Sequence, residues 1–450
     1  MNTNQEYMSR LKAIMADQYV MDRKQLQDPS IHHGLRNHDG TGVLIGTTNI
    51  GSVQGYYMED GLRQPMPGKL YYRGISLEDI VESHRKNGTF GFTEVVFLLL
   101  VGRLPTADEL EEFTALLSQA RQLPNGFVED TILRNPSRDI MNKLSRSVLT
   151  LYSYDDRPDD LSAENLMRQS IELIARFPTI VANGYAAKRH YFDGKSLYIH
   201  NSKPKLSVAE DFLRMLRQDK SFTAEEAHLL DLMLMIHAEH GGGNNSTYVC
   251  RAMSSSNTDT YSAIAGAVGS LKGPLHGGAN AKVMQMFRNI QENVKDHKDD
   301  DEISAYLAKI LRGQANDGSC KIYGLGHAVY TMSDPRCELI KKYSKEVAEK
   351  SGRWEDLALM MKIEELGIPV ITKMKNLTTP ICANVDMYSG LIYDFLNIPP
   401  DLFTPLFAIA RISGWCANRM EEVLTCNRIH RPAYRAKQLH VPYVELADRK

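Results

Sequence analysis

No apolar run in this 450-residue chain approaches the length needed to cross a bilayer; the densest, Val95 to Val101 (VVFLLLV), reads as a buried helix segment. An excess of one charge is missing too. With 53 Lys and Arg against 55 Asp and Glu the net charge is −2, so no global field suits nucleic acid. The six cysteines, Cys250, Cys320, Cys337, Cys382, Cys416 and Cys426, form no CxxC, which argues against both a disulfide scaffold and a zinc site. The first twenty residues mix Glu6 and Asp17 with Arg10 and Lys12, without the uninterrupted apolar stretch of a signal peptide or the acid-free composition of a transit peptide. Neither an internal repeat nor a low-complexity tract stands out. A cytoplasmic, reduced protein that binds neither nucleic acid nor membrane is the expectation.

What is present is ample core-forming material. At 43% hydrophobic residues, a chain of this length forms one large or two intimately joined domains. Glu6–Leu26 can form an amphipathic helix through Met8, Leu11, Ile14, Met15 and Met21. Residues 38–72 are rich in glycine and in β-branched or aromatic residues, with turns at Asp39-Gly40 and Asp60-Gly61, and predict short strands or hairpins. Helical periodicity dominates afterwards. Ser76 with Asp79, Thr106 with Glu109, Ser207 with Glu210 and Thr223 with Glu226 each have capping-box spacing at a helix start. Ile140–Tyr152 and Glu164–Arg189 read as helices, the second with a bend at Pro178, and Thr404-Pro405 opens a long helix through Leu424. Buried strands do not alternate with these helices, so the fold class is all-α with minor β hairpins near the N-terminus, not a doubly wound sheet.

Five polar constellations punctuate this helical pattern. His276 stands in LKGPLHGGAN, on a tight turn before a helix start at Ala279, where the positive helix end keeps its ring neutral. A neutral imidazole there can donate to an oxygen that gains charge, although a Gly/Pro-rich turn that merely carries a histidine is the plainer alternative. His237-Ala-Glu-His240 ends another helix, whose negative terminus favours a charged or donating ring. Its ligands could suit a metal but lack HExxH spacing, and a structural histidine is the commoner case. In KIYGLGHAVYTMSDPR, Gly324 and Gly326 let the backbone turn tightly before His327, and Asp334-Pro335 directs Arg336. Gly-x-Gly here is no Rossmann fingerprint. Asp386, the sole acid of ANVDMYSG, is set among apolar residues that should raise its pKa and suit it to act as a base, unless it only caps a helix. Arg411 follows Ala410 on a buried helix face and needs an anionic partner, and Arg428 and Arg431 lie in a basic tail that could reach another subunit. Together these groups suit condensation of a carbon acid with a carbonyl compound bearing carboxylates.

GPLHGGAN, HAEH…N, GLGHAVYTMSDPR and NVDMYSG, in that order and at these separations, resemble the motifs of the citrate synthase family, which includes 2-methylcitrate synthases. LYYRGISLEDI and FTEVVFLLLVGRLPTADEL resemble its N-terminal half, so the similarity runs from about Leu70 to Arg431. It implies an almost wholly α-helical homodimer with a large and a small mobile domain, here 1–282 with an extension over 1–69, then 283–393, with 394–450 returning to the large domain. It also implies a Claisen-type condensation of acetyl-CoA with oxaloacetate, thioester hydrolysis, and no metal or cofactor beyond the substrates. By the same resemblance His276 stabilises the enolate, Asp386 removes the methyl proton and His327 polarises the oxaloacetate carbonyl. His240, Arg336 and Arg411 hold oxaloacetate, Arg431 crosses the dimer interface, and Tyr323, Gly324, Leu325 and Gly326 form the loop for CoA. The chain departs from many bacterial members at Ala328, where they carry arginine, and at Ala383, where they carry proline. Lys321, Lys373 and Lys375 are the nearby candidates for the CoA phosphates. Three alternatives accompany this reading: a 2-methylcitrate synthase using propionyl-CoA, a helical regulatory protein without turnover, and a His-ligated metal hydrolase.

Overall fold

Helix-start chemistry accounts for much of the architecture. The computed structural model describes residues 2–16, 28, 30–426, 428–436 and 440–449, and the side chains of helix α1 (Asn2–Ala16) from Gln5 onward. α1 covers the first part of the stretch expected over Glu6–Leu26; Met21 and the rest of that stretch before Asp28 lie outside the described residues. Strands β1 (Gly51–Glu59) and β2 (Leu62–Tyr72) pair antiparallel around Asp60-Gly61. Both turn residues have positive φ, 50° and 76°, the geometry that two-residue hairpins select. A short β3 (Ile75–Ser76) completes a sheet of order β1-β2-β3. At 9 and 11 residues the hairpin strands are longer than expected, with a register break at Gly55.

α2 (Leu77–Asn87) starts where Ser76 and Asp79 predict, but no capping box forms. Ser76 is paired with Tyr71 in the sheet, and its hydroxyl faces Glu78 Oε2 at 3.4 Å instead. α3 (Phe92–Val101) is the apolar segment, buried on nearly every side, with its first N–H groups covered by the Asp231 carboxylate. Full capping boxes open α4 (Ala107–Ala120) at Thr106 and Glu109. A π-helical turn over Val128–Leu133, absent from the sequence expectations, is held by the Lys143 ammonium on the Thr131 carbonyl. α5 (Ile140–Leu151) follows, and α6 (Ala163–Asp193) continues through Pro178 as one helix. α7 (Val208–Leu216) and α8 (Ala224–His237) open with the two remaining capping boxes.

α9 (Asn245–Ser254), α10 (Thr260–Leu271) and α11 (Ala279–Asn293) lead to the second group of helices. That group comprises α12 (Asp300–Leu311), α13 (Pro335–Lys350), α14 (Trp354–Lys375) and α15 (Asp386–Phe395). α16 (Phe403–Thr425) is buried along most of its length and packs against α3, α6, α8, α9 and α10, so it is the axis of the larger body. α11 to α15 pack on one another and meet that body through α8, α16 and α2. The all-α expectation holds. Among the described residues no helix is long and apolar enough to cross a membrane.

Candidate active site

The turn after α10 is tight because Gly277 donates its N–H to Leu271 O (2.9 Å) and His276 donates to Gly273 O (2.9 Å). A side chain on Gly277 would collide with the Leu271 carbonyl and with Thr404. His276 is thereby presented toward α9 and α16. The Ser246 backbone N–H donates to its Nε2 (3.4 Å), with the Ser246 hydroxyl 3.0 Å away; Trp415 Nε1–H donates to that hydroxyl at 3.2 Å. Nε2 is therefore the acceptor, and the ring proton resides on Nδ1. The surrounding protein, and then the Arg411 guanidinium, lower the pKa of His276 to about 4. The neutral ring expected from the sequence is present; desolvation, not the helix dipole, is its main cause.

His327 uses Nδ1 to accept the backbone N–H groups of Val329 and Tyr330, both at 3.1 Å, so its proton lies on Nε2. Its ring stacks on Tyr330 (4.7 Å) and meets His240 edge-on at 5.3 Å. His240 Nε2 is 3.3 Å from the Tyr330 hydroxyl. Desolvation and the Arg336 charge hold both rings neutral, His327 at about 4 and His240 well below the usual range. His237 donates from Nδ1 to Met233 O (2.8 Å) and is pushed down to about 3, again chiefly by burial. Of the charged or donating ring favoured at this helix end, the donating alternative holds for His237 and the charged one is corrected. Burial beside Arg336 and Arg411 outweighs a helix-terminus effect of about 0.3–2 kcal/mol.

Arg336 is paired within its own turn. It sits on the first turn of α13, where Asp334 caps the helix and accepts from Arg336 N (3.0 Å), Nε (3.0 Å) and Nη2 (2.7 Å). Asp334 also accepts from Val385 N (3.1 Å), which joins this arginine to the start of α15. Asp386 is the first residue of α15 and makes no cap. It retains partial solvent access, while the protein packed around it raises its carboxyl pKa to about 6. Arg336 and Arg411 oppose that rise and Asp334 adds to it, so Asp386 is not the only acid of its surroundings.

Arg411 has no exposure at all. Its Nε donates to His237 O (2.7 Å) and its guanidinium lies 4.6 Å from the Phe407 ring centre, yet Nη1 and Nη2 have no partner. Burial lowers its pKa to about 10, only partly countered by the Glu239 charge. Phe407 also contacts His237 and His276, at 4.7 and 6.4 Å between ring centres, so one aromatic ring stands between three of these groups.

Tyr323, Gly324, Leu325 and Gly326 line a cavity of about 530 Å³, with Lys321 and Lys375 at its wall and Pro274 and Leu275 beside His276. Lys373, the third candidate, does not line it. Gly324 and Gly326 take φ of 85° and 92°, the left-handed region that glycine enters without strain. Arg431 is exposed in the tail after α16, and no hydrogen bond or ion pair among the described residues joins it to the cluster. Ser246, Tyr330, Phe407 and Asn384 adjoin these candidate groups, and nothing in their local sequence singles them out. Asp334 was noted only as a turn former. Among the described residues no group of three or more His, Cys, Asp or Glu is arranged to hold a metal ion.

A carboxyl with a raised pKa, neutral histidines and a guanidinium with unsatisfied donors suit chemistry that moves protons at carbon and binds an anion. The model for the citrate synthase C-terminal domain matches residues 38–433, starting well before Leu70. The citrate synthase of Deinococcus radiodurans is 35% identical over 388 residues, 85% of this chain and 93% of that protein; the Synechocystis enzyme is 35% identical over 368 residues, 81% and 84%. Among solved structures, citrate synthase from Pyrobaculum aerophilum aligns at a TM-score of 0.75 and 30% identity, covering 93% of this chain and 95% of that one. The Thermoplasma acidophilum enzyme, solved with carboxymethyl coenzyme A and oxaloacetate, aligns at 0.76 and 26%, covering 94% and 100%. The chain belongs to the citrate synthase family. It is an enzyme that condenses acetyl-CoA with oxaloacetate and hydrolyses the thioester to citrate and CoA.

Proposed function

We propose that the histidine, aspartate and arginine cluster is the active site for this condensation, with each role carried by a group whose state suits it. The observation that carries the reading is Arg411, a buried guanidinium whose Nη1 and Nη2 lack partners and match one carboxylate of oxaloacetate. Arg336, braced by Asp334, offers its remaining edge to the other. The keto oxygen then lies toward His327 and His240. Acetyl-CoA enters along the Tyr323–Gly326 loop, with Lys321 and Lys375 near its phosphates. The ionised Asp386 removes a methyl proton as electron density shifts onto the thioester oxygen, where the His276 Nδ1–H donates a hydrogen bond. The enolate carbon attacks the keto carbon, and the new alkoxide takes a proton from His327 Nε2. Water then cleaves the citryl thioester and releases CoA. No cofactor beyond the substrates enters this scheme.

In the same reading 283–393 is a small domain that moves against 1–282 and 394–450, the first boundary falling inside α11. Arg431 completes the site of a second subunit in a homodimer. Its neighbour His430 supports this: it donates its N–H to Ser255 Oγ (3.1 Å), lies 3.2 Å from Glu422 Oε1 and stacks on Tyr248, so the root of the tail is anchored. The free thiols suit a reducing cytoplasm, and the condensation itself suits a place in the tricarboxylic acid cycle. Thiol release with oxaloacetate and acetyl-CoA tests the proposal directly. Asp386→Asn should keep oxaloacetate binding and lose turnover by at least about a hundredfold, because an amide cannot act as the base. Wild-type turnover in that variant would remove Asp386 from the mechanism.

A further inference from the structure

The chain bearing Asp386 and the loop bearing His327 are joined as a small ladder. Gly326 donates its N–H to Cys382 O (2.8 Å), Asn384 donates its own to Gly324 O (2.9 Å), and Leu325 bridges antiparallel to Ala383. One side chain spans both segments. Asn384 Nδ2 donates to Gly326 O (2.8 Å), and its Oδ1 accepts from Asp386 N–H (3.0 Å). The two partners fix the amide orientation, since only nitrogen can serve a carbonyl and only oxygen an N–H. The Gly326 carbonyl belongs to the peptide bond of His327. The Asp386 N–H belongs to the first turn of α15, where it has no partner within the helix.

We propose that Asn384 is a positioning residue that ties the acyl-CoA loop and His327 to the base Asp386, so that the proton acceptor and the carbonyl-polarising histidine keep one spacing. This rests on the roles proposed above for Asp386, His327 and the loop. Asn384 touches no reacting atom. Asparagine is required because the link needs a donor at one end and an acceptor at the other. Aspartate would present an oxygen to the Gly326 carbonyl. Serine can accept from the N–H two residues on, as in an ST turn, but is too short to reach Gly326. The acceptor half therefore governs the base and the donor half governs the loop.

Steady-state kinetics of wild type, Asn384→Ala and Asn384→Ser, with oxaloacetate titration and thermal melting on each, separate the possibilities. Asn384→Ala should lower kcat by about 10–100-fold, the cost of a misplaced reacting group, and raise KM for acetyl-CoA, with oxaloacetate affinity unchanged. Asn384→Ser should recover part of kcat while KM for acetyl-CoA stays high. An alanine variant with wild-type kcat and KM overturns the proposal. So does a serine variant indistinguishable from alanine when both lose oxaloacetate binding and melting temperature together, because the residue is then only structural. An inactive wild-type protein would overturn the active-site assignment itself.

Discussion

Replacing Arg411 with methionine should separate binding from stability. The buried guanidinium makes one hydrogen bond, to His237 O, and leaves Nη1 and Nη2 unsatisfied. The fall of its pKa from 12.5 to about 10 corresponds to a burial penalty of about 3 kcal/mol in the ligand-free protein. Methionine removes that penalty and fills much of the same volume, but strands the His237 carbonyl at a cost of about 1–3 kcal/mol. The two nearly cancel, so urea unfolding of Arg411→Met should lie within about 2 kcal/mol of wild type. Binding does not cancel. Two charge-assisted hydrogen bonds at about 1.5–3 kcal/mol each predict a loss of about 10²–10⁴-fold in oxaloacetate affinity by titration calorimetry. Arg411→Lys should recover little of it, because an ammonium cannot present two parallel donors. A variant that binds oxaloacetate within tenfold of wild type, or that loses stability as a core truncation does while still binding, would refute the reasoning.

Two further outcomes are expected. Turnover with saturating oxaloacetate should fall tenfold per pH unit below about pH 6 and be flat just above it, because Asp386 acts ionised and its pKa is raised to about 6 by desolvation. His276 and His327, near 4, stay neutral across that window; stability follows the opposite sign, the contribution of protonated Asp386 being full below pH 3.8 and lost as pH rises through about 6. An acid limb that persists in Asp386→Asn would assign the limb to another group. Mixing inactive Arg431→Ala and Asp386→Asn subunits should restore about half of wild-type turnover per heterodimer if Arg431 acts across the interface, since one of the two sites then holds both groups. Verified heterodimers without turnover would count against a shared site.

How far the sequence reached depends on the range of the forces involved. Thr106, Ser207 and Thr223 start helices as read, because a capping box is satisfied within four residues. Ser76 has the same spacing and fails, because a strand partner from the preceding hairpin takes its backbone. The histidines show the same divide. A dipole argument from neighbouring residues finds the neutral state of His276 but allows a charge on His240 that burial, and then an arginine ninety-six positions away, excludes. Arg336 shows a near-range failure: Asp334 was legible as a turn former, but its two oxygens brace the arginine and also hold Val385.

The residues that carried the chemistry were legible because glycine or apolar neighbours left them alone in the sequence. The residues that set their geometry were not, because each works by joining two segments. Ser246 fixes the tautomer of His276 from thirty residues before it, and Asn384 reaches the Gly326 carbonyl across fifty-eight. Such residues are polar, buried or partly buried, and locally unremarkable. A site read from sequence therefore identifies the groups that react before the groups that hold them. In this protein the holding groups decide which nitrogen of His276 and of His327 carries its proton, and hence which oxygen each of these rings can serve.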